Sequence, residues 1–278
     1  MKSNHRWPIG TIMSLESLFD GGPDRIKDMN MDTYQLGIWD AYDFDDAKVL
    51  KIKSAMGDFV ASSCVIGWPD PKAWNFYEGP STLGIRPKKY RMERMECYFR
   101  AIDVVSRLGI PLITTHIGFV PEDPEQDDYI QMVKCLKQLA DYSGERNIEF
   151  CLETGQETPI TLRRYIEDAG NLNLGINFDT ANLLLYGKAN PVDAVDMFGR
   201  YVKSMHIKDG EYPTDARELG EEKPVGEGST NFPVVLQKLA DIGYQGALII
   251  EREISGEKQL KDIEHAFNLL EKWLLNIK

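Results

Sequence analysis

Short apolar runs rich in β-branched residues alternate with amphipathic stretches along the whole chain, the pattern of repeated strand–helix units around a parallel sheet. Eight runs read as strands, at residues 9–13, 33–39, 59–66, 112–117, 148–153, 174–179, 202–207 and 247–251. Between them, Asp123-Pro124, Thr158-Pro159 and Asn190-Pro191 each place a capping residue ahead of proline, which predicts helix starts. Gly144, Gly170 and Gly199 stand where left-handed C-caps are expected. Met92, Met95, Phe99 and Ile102 form one apolar stripe, and Leu260, Ile263, Phe267, Leu270 and Leu274 form another; both predict helix faces packed on the sheet. Eight units in 278 residues average about 35 each, the size expected of a single α/β domain, a (β/α)8 barrel over residues 1–278. Long segments at residues 67–88 and 208–230 follow the third and seventh strands. In a barrel both would stand on the C-terminal face, where such loops build the active site, as a wall or lid rather than a decorative insertion.

Composition narrows the partners. A chain that is 42% hydrophobic and 27% charged has ordinary globular composition, which excludes wholesale disorder. Its net charge of −12 argues against nucleic acid as the main partner, because binding phosphates needs surplus Lys and Arg. Cys64, Cys97, Cys135 and Cys151 show no CxxC pairing and read as reduced thiols. Residues 1–10 lack the apolar core of a secretory signal, and no apolar run reaches the ~20 residues of a membrane span. The expectation is a cytoplasmic protein with no membrane partner.

The chemistry is concentrated at the ends of the last four strands. The fifth ends in Glu153, the sixth in Asp179, the seventh contains His206 and the eighth ends in Glu251. Strand parity puts Leu248 and Ile250 on one face and Glu251 on the other, and sets Ile176 and Phe178 opposite Asp179. With the bulky residues facing the helices, the carboxylates point into the barrel mouth. Three converging carboxylates repel unless a cation holds them, and a neutral imidazole can share that cation. Three oxygens and one nitrogen suit one divalent metal ion, Mn²⁺, Mg²⁺ or Co²⁺, with Zn²⁺ as the alternative.

At these residues the chain resembles the xylose-isomerase-like TIM-barrel superfamily, in its sugar isomerase and epimerase branch of ketose 3-epimerases and inositol-pathway enzymes. The resemblance rests on Leu152-Glu153, Phe178-Asp179-Thr180-Ala181-Asn182, His206-Ile207-Lys208-Asp209, Gly226-Glu227-Gly228 and Ile250-Glu251. It implies a homodimer or homotetramer and one divalent ion on Glu153, Asp179, His206 and Glu251, with the two glutamates as acid/base groups. Ketose 3-epimerases carry a histidine where this chain has Asn182 and an arginine where it has Tyr212, so Arg217 or Lys208 is expected to supply the missing contact. Related apurinic endonucleases need further histidines that are absent from the third strand and from residues 217–228.

The expected substrate is a keto-sugar or polyol. A C–H beside a carbonyl is a poor acid, and a divalent ion on the carbonyl and neighbouring hydroxyl oxygen would stabilise the enediolate as a Lewis acid. Glu153 and Glu251, three strands apart, would act on opposite faces, which suits epimerisation; return to the adjacent carbon gives an aldose–ketose isomerase. The alternatives are a keto-inositol dehydratase or keto-sugar lyase, which starts with the same proton abstraction, and a non-catalytic sugar-binding barrel. His116 reads as a substrate contact, a contact behind the ligands or a packed histidine. Glu157 reads as a sugar-hydroxyl contact or a cap for the next helix. Asn182, Lys208, Arg217 and Trp68 complete the expected substrate-binding set, with Trp7, Trp39 and Phe119 as further apolar walls or core. Glu253 reads as a salt-bridge partner, and Gly226 to Gly228 either as amide donors to an anion or as a tight turn.

Overall fold

Strands whose two faces are both apolar need cover on both sides, and a ring of strands within a ring of helices supplies it. A computed structural model describes residues 7–277 of the chain. The strands are β1 (Ile9–Ser14), β2 (Thr33–Ile38), β3 (Ala61–Ile66), β4 (Leu112–Thr115), β5 (Glu149–Glu153), β6 (Leu174–Asp179), β7 (Val202–Ile207) and β8 (Leu248–Ile250). Each pairs in parallel with its neighbours in sequence, and β8 returns to β1, so the sheet closes into a barrel with no free edge. The expectation that residues 1–10 carry no apolar leader falls partly on residues 1–6, which lie outside the described residues. Among the described residues no helix is long and apolar enough to cross a membrane.

The strand positions match those read from the sequence to within two residues at either end, and Glu251 falls just beyond the last strand. β4 stops at Thr115 because the carbonyl of Ile117 accepts from Ile85 N (3.0 Å) in the long 67–88 segment instead of continuing the ladder. Parity holds as well: Phe178 points outward onto Phe198, ring centroids 5.3 Å apart.

Thr158 and Asn190 cap the helices Pro159–Ala169 and Pro191–Phe198 as expected, and Gly170 takes the left-handed cap at φ 74°. Three helix-end expectations need correction. The helix after β4 starts at Asp127 with Gln126 in the capping position, while Asp123 closes a turn by accepting from Glu125 N (2.9 Å). Gly144 is the last residue of that helix and the left-handed turn falls at Asn147 (φ 56°); Gly199, at φ −50°, continues into a short 3₁₀ turn. Both glycines serve close packing: a Cβ on Gly199 would lie 2.6 Å from Ile242 Cδ1, and one on Gly144 3.3 Å from Asn173 Nδ2.

Each apolar stripe leaves its first residue exposed and buries most of the residues that follow. Met95 and Ile102 are buried, whereas Met92 is 74% exposed. The first turns of that helix instead bury Arg91 and Arg94, which fasten the long segment: Arg91 Nε donates to Ile85 O (2.7 Å) and Arg94 Nη1 to Gly84 O (2.6 Å). In the last helix, Glu257–Leu274, Ile263, Phe267 and Leu270 are buried, while Leu260 is exposed.

Candidate metal centre

Register brings the four strand-end residues together. Asp179 pairs with His206 across β6 and β7, and His206 pairs with Ile249, two residues before Glu251. Glu153, Asp179, His206 and Glu251 each offer a ligand atom, and all four atoms lie within 4.8 Å of one another. His206 Nδ1 stands 3.0 Å from Glu251 Oε2, 3.4 Å from Glu153 Oε1 and 3.6 Å from Asp179 Oδ2. Asp179 Oδ2, His206 Nδ1 and Glu251 Oε2 are buried without a hydrogen-bond partner among the described residues. Leaving such atoms unsatisfied costs ~1–3 kcal/mol each, and a divalent ion among them removes the deficit. The donor set of three carboxylates and one imidazole fits Mg²⁺ or Mn²⁺ chemistry.

Each donor is aimed from behind. His206 Nε2 donates to Gln35 Oε1 (2.8 Å), and the Gln35 amide is oriented by donating through Nε2 to Ser63 Oγ (2.9 Å). With its proton on Nε2, the imidazole presents a bare Nδ1 to the site. Asp179 divides its two oxygens: Oδ1 accepts from Asn182 N (2.8 Å) and caps the helix Thr180–Leu185, which turns Oδ2 into the centre. Glu153 Oε1 accepts from Asn182 Nδ2 (3.2 Å) and faces His116 Nε2 at 3.3 Å. Lys208 Nζ lies 3.4 Å from Glu251, 3.6 Å from Asp179 and 2.7 Å from Glu253, and donates to Asn182 Oδ1 (3.3 Å).

The electrostatics follow from burial and this cation. Burial pushes Asp179 up to about 7, against the pull of Lys208. Burial also works to raise Glu251, yet Lys208 and His206 bring it down to about 2. Burial disfavours charge on His206 and His116, but the carboxylates beside them raise both above the ordinary histidine value.

The remaining expected residues divide between the site and its surroundings. A cavity of about 740 Å³ opens over the centre, with Glu153, Glu251, His116, Asn182, Trp39 and Trp74 in its wall. Lys208, not Arg217, touches the centre; Arg217 is exposed on the 208–230 segment and its backbone N–H donates to Asp215 (2.8 Å). Trp68 is fully buried behind Trp74 (6.1 Å between rings), and Trp74 stands edge-on to His116 at 4.8 Å. Glu157 is buried outside the cavity wall, and Thr158 rather than Glu157 caps the following helix. Trp7 packs below the barrel, donating to Tyr244 O (2.6 Å), and Phe119 packs on Tyr186. Glu253 is the salt-bridge partner of Lys208.

Gly226 to Gly228 do offer amides to an anion, and it belongs to the chain itself. Asp209 Oδ2 accepts from Gly226 N (2.9 Å) and Gly228 N (3.0 Å), while Oδ1 accepts from Gly210 N and Thr230 N. A Cβ on Gly228 would sit 2.4 Å from Asp209 Oδ1, so the turn closes only around glycine. Sequence reasoning passed over Gln35. Its signal was a single amide in an otherwise apolar and small strand, Thr33–Ile38.

A family model described as xylose isomerase-like TIM barrel matches residues 23–273. A xylose isomerase domain protein from Planctomyces limnophilus shares 32% identity and superposes at a TM-score of 0.89, over 98% of each chain. A D-psicose 3-epimerase crystallised with D-fructose superposes at 0.71 with 17% identity, over 96% of this chain and 99% of its own. A xylose isomerase-like TIM-barrel protein from Mycobacterium smegmatis in complex with magnesium superposes at 0.69 with 18% identity, over 99% of this chain and all of its own.

Proposed function

The chain belongs to the xylose isomerase-like TIM-barrel family, and from that membership we propose a divalent-metal-dependent sugar epimerase or isomerase. It would move a proton at the carbon beside a sugar carbonyl. The observation that carries this reading is the convergence of Glu153, Asp179, His206 and Glu251 beside an open cavity that Glu153 and Glu251 line, with three inward atoms unpartnered among the described residues. The epimerase fold of the D-psicose enzyme and the magnesium complex of another relative support it.

Asp179 Oδ2, His206 Nδ1 and one oxygen of each glutamate would hold the ion. When bound, the ion supplies Lewis acidity to the carbonyl and neighbouring hydroxyl oxygen of the sugar. Glu251 is ready as the base: Lys208 at 3.4 Å keeps it ionised despite burial. Glu153 approaches from a strand three positions away, so the two carboxylates flank a substrate from different sides. One carboxylate would take the proton and the other, protonated from solvent, would deliver a different proton to the opposite face, which inverts the carbon. His116 Nε2 and Asn182 Nδ2 hold Glu153 Oε1 and steady that carboxylate across the catalytic cycle. His116 also stands in the cavity wall, within reach of a sugar hydroxyl, whereas Lys208 is buried behind it and acts through Glu251 and Asn182.

Proton NMR of ketoses in D₂O with Mn²⁺-loaded protein tests the reading. Deuterium should enter at the carbon beside the carbonyl without loss of water. Glu251→Gln should lower the exchange rate by roughly 10²–10⁴-fold while the barrel stays folded by circular dichroism. No exchange with any ketose in a metal-replete screen overturns the proposal, and release of water with exchange would make the enzyme a dehydratase.

A further inference from the structure

The cavity wall on the Glu153 side holds an amide that the fold leaves without a partner. Gln156, three residues past Glu153, lines the cavity together with Glu153, Asn182 and Tyr186. Its side chain is buried, yet neither Nε2 nor Oε1 has a hydrogen-bond partner among the described residues. An amide in that state has lost water and gained nothing, which destabilises the chain until a ligand supplies the missing bonds.

The backbone that carries this amide is fixed on both sides. Before it, Thr154 Oγ1 accepts from Asp179 N (2.8 Å) and donates to Asp179 O (2.7 Å). Gly155 presses onto the next helix, where a Cβ would stand 3.4 Å from Asn182 Cβ and 3.7 Å from Tyr186 Cδ2. After it, Thr158 caps the helix Pro159–Ala169. The Tyr186 hydroxyl lies beside the amide, and Phe76 and Phe119 hold its ring edge-on.

The pairing of one donor group with one acceptor selects the occupant. An apolar group leaves both amide atoms unsatisfied. A phosphate or carboxylate can take Nε2, but it sets its charge against Oε1, against Glu153 in the same wall and against Glu157, the buried next residue. Two neighbouring hydroxyls satisfy both atoms, one accepting from Nε2 and the other donating to Oε1. Arg217, exposed on the 208–230 segment, and Lys208, buried behind the wall, do not compete for this role.

We propose that Gln156 sets which sugar configuration binds, by gripping a vicinal diol on a neutral polyhydroxy chain. The inference rests on the proton-transfer reading for the position of the reacting carbon, between Glu153 and Glu251; the diol lies further along the sugar, on the Glu153 side. Only a sugar with both hydroxyls turned toward the amide satisfies it, and inverting one of them leaves an amide atom unpaired.

Calorimetry on the Mn²⁺-loaded full chain with xylitol, ribitol, D-arabitol and L-arabitol tests this role. These pentitols differ only in configuration and have no carbonyl, so binding is read apart from proton transfer. The best and the worst should differ at least about tenfold in affinity. Gln156→Met and Gln156→Leu, similar in size but without either polar atom, should weaken the best roughly tenfold and level the series. Urea melts should show both variants at least as stable as the natural chain, because no internal hydrogen bond is lost; an amide that served only the fold would show the reverse. Equal pentitol affinities, no binding of any of them, or a series unmoved by either substitution overturns the proposal, as does a loss of stability or of Mn²⁺ affinity in both variants. Deuterium exchange into a ketose, with pentitol binding indifferent to Gln156, would remove the diol contact and leave the proton transfer standing. Pentitol discrimination that depends on Gln156, without exchange into any ketose, would keep the contact and remove the chemistry.

Discussion

Gln35 decides which nitrogen of His206 is free. It accepts the Nε2 proton at 2.8 Å and is itself turned the right way by Ser63, so the bare Nδ1 faces the three carboxylates. Partners of this kind tune a metal site they never touch. Gln35→Leu should weaken Mn²⁺ binding by about 10–100-fold in calorimetry, with little change in the far-ultraviolet spectrum; unchanged affinity would show that the imidazole needs no such guide. Glu157 makes a different prediction. Burial raises its carboxyl from the ordinary 4.5 to about 7, so the folded chain binds that proton more tightly than the unfolded chain. The corresponding stabilisation is complete below the unfolded value and is lost as pH climbs through 7, an effect of up to about 3 kcal/mol. Denaturant melts should therefore show Glu157→Gln more stable than the natural chain at pH 8.5 and level with it near pH 4.5. An equal gain at both pH values would contradict the assignment. The raised value comes from packing that no local sequence pattern announces, which is why the sequence read Glu157 as a sugar-hydroxyl contact or a helix cap and not as a buried acid.

At the scale of elements, the turn after β7 shows how a loop is held without regular structure. Four backbone N–H groups, from residues 210, 226, 228 and 230, converge on the Asp209 carboxylate, a closed anion nest completed by the chain's own side chain. Asp209→Ala leaves those donors without an acceptor and should cost at least about 3 kcal/mol in urea unfolding; a loss within experimental error would mean that water replaces the carboxylate freely. The arginines of the helix Arg91–Leu108 do a similar task for the 67–88 segment, donating to carbonyls of residues 84, 85 and 86. Apolar periodicity placed that helix correctly, but it assigned Met92 to the buried face and overlooked Arg91 and Arg94. A guanidinium with several carbonyl partners can be buried in place of a methionine, and periodicity alone registers only the polarity of the side chain.

For the whole molecule, closure of the barrel converts four residues spread over about a hundred positions of sequence into one centre. An ion bound only by the folded chain stabilises it by linkage, about 2.7 kcal/mol at a hundredfold excess over Kd. Thermal melts should rise with Mn²⁺, Mg²⁺ or Co²⁺ and return to baseline with chelator while the apo barrel remains folded. The rise should vanish in Asp179→Asn combined with His206→Ala; a melting point indifferent to all three ions would leave the centre without a metal. The eight strands, their order around the ring and the convergence of Glu153, Asp179, His206 and Glu251 were legible in the chain itself. Strand parity and a steady repeat length are local rules, and a closed parallel ring turns them into position. The sequence by itself could not separate Lys208 from Arg217, place Trp74 in front of Trp68, or turn the amides of residues 226 and 228 toward Asp209. Those outcomes depend on which atoms meet across loops of unequal length, and only the packed tertiary structure fixes those distances.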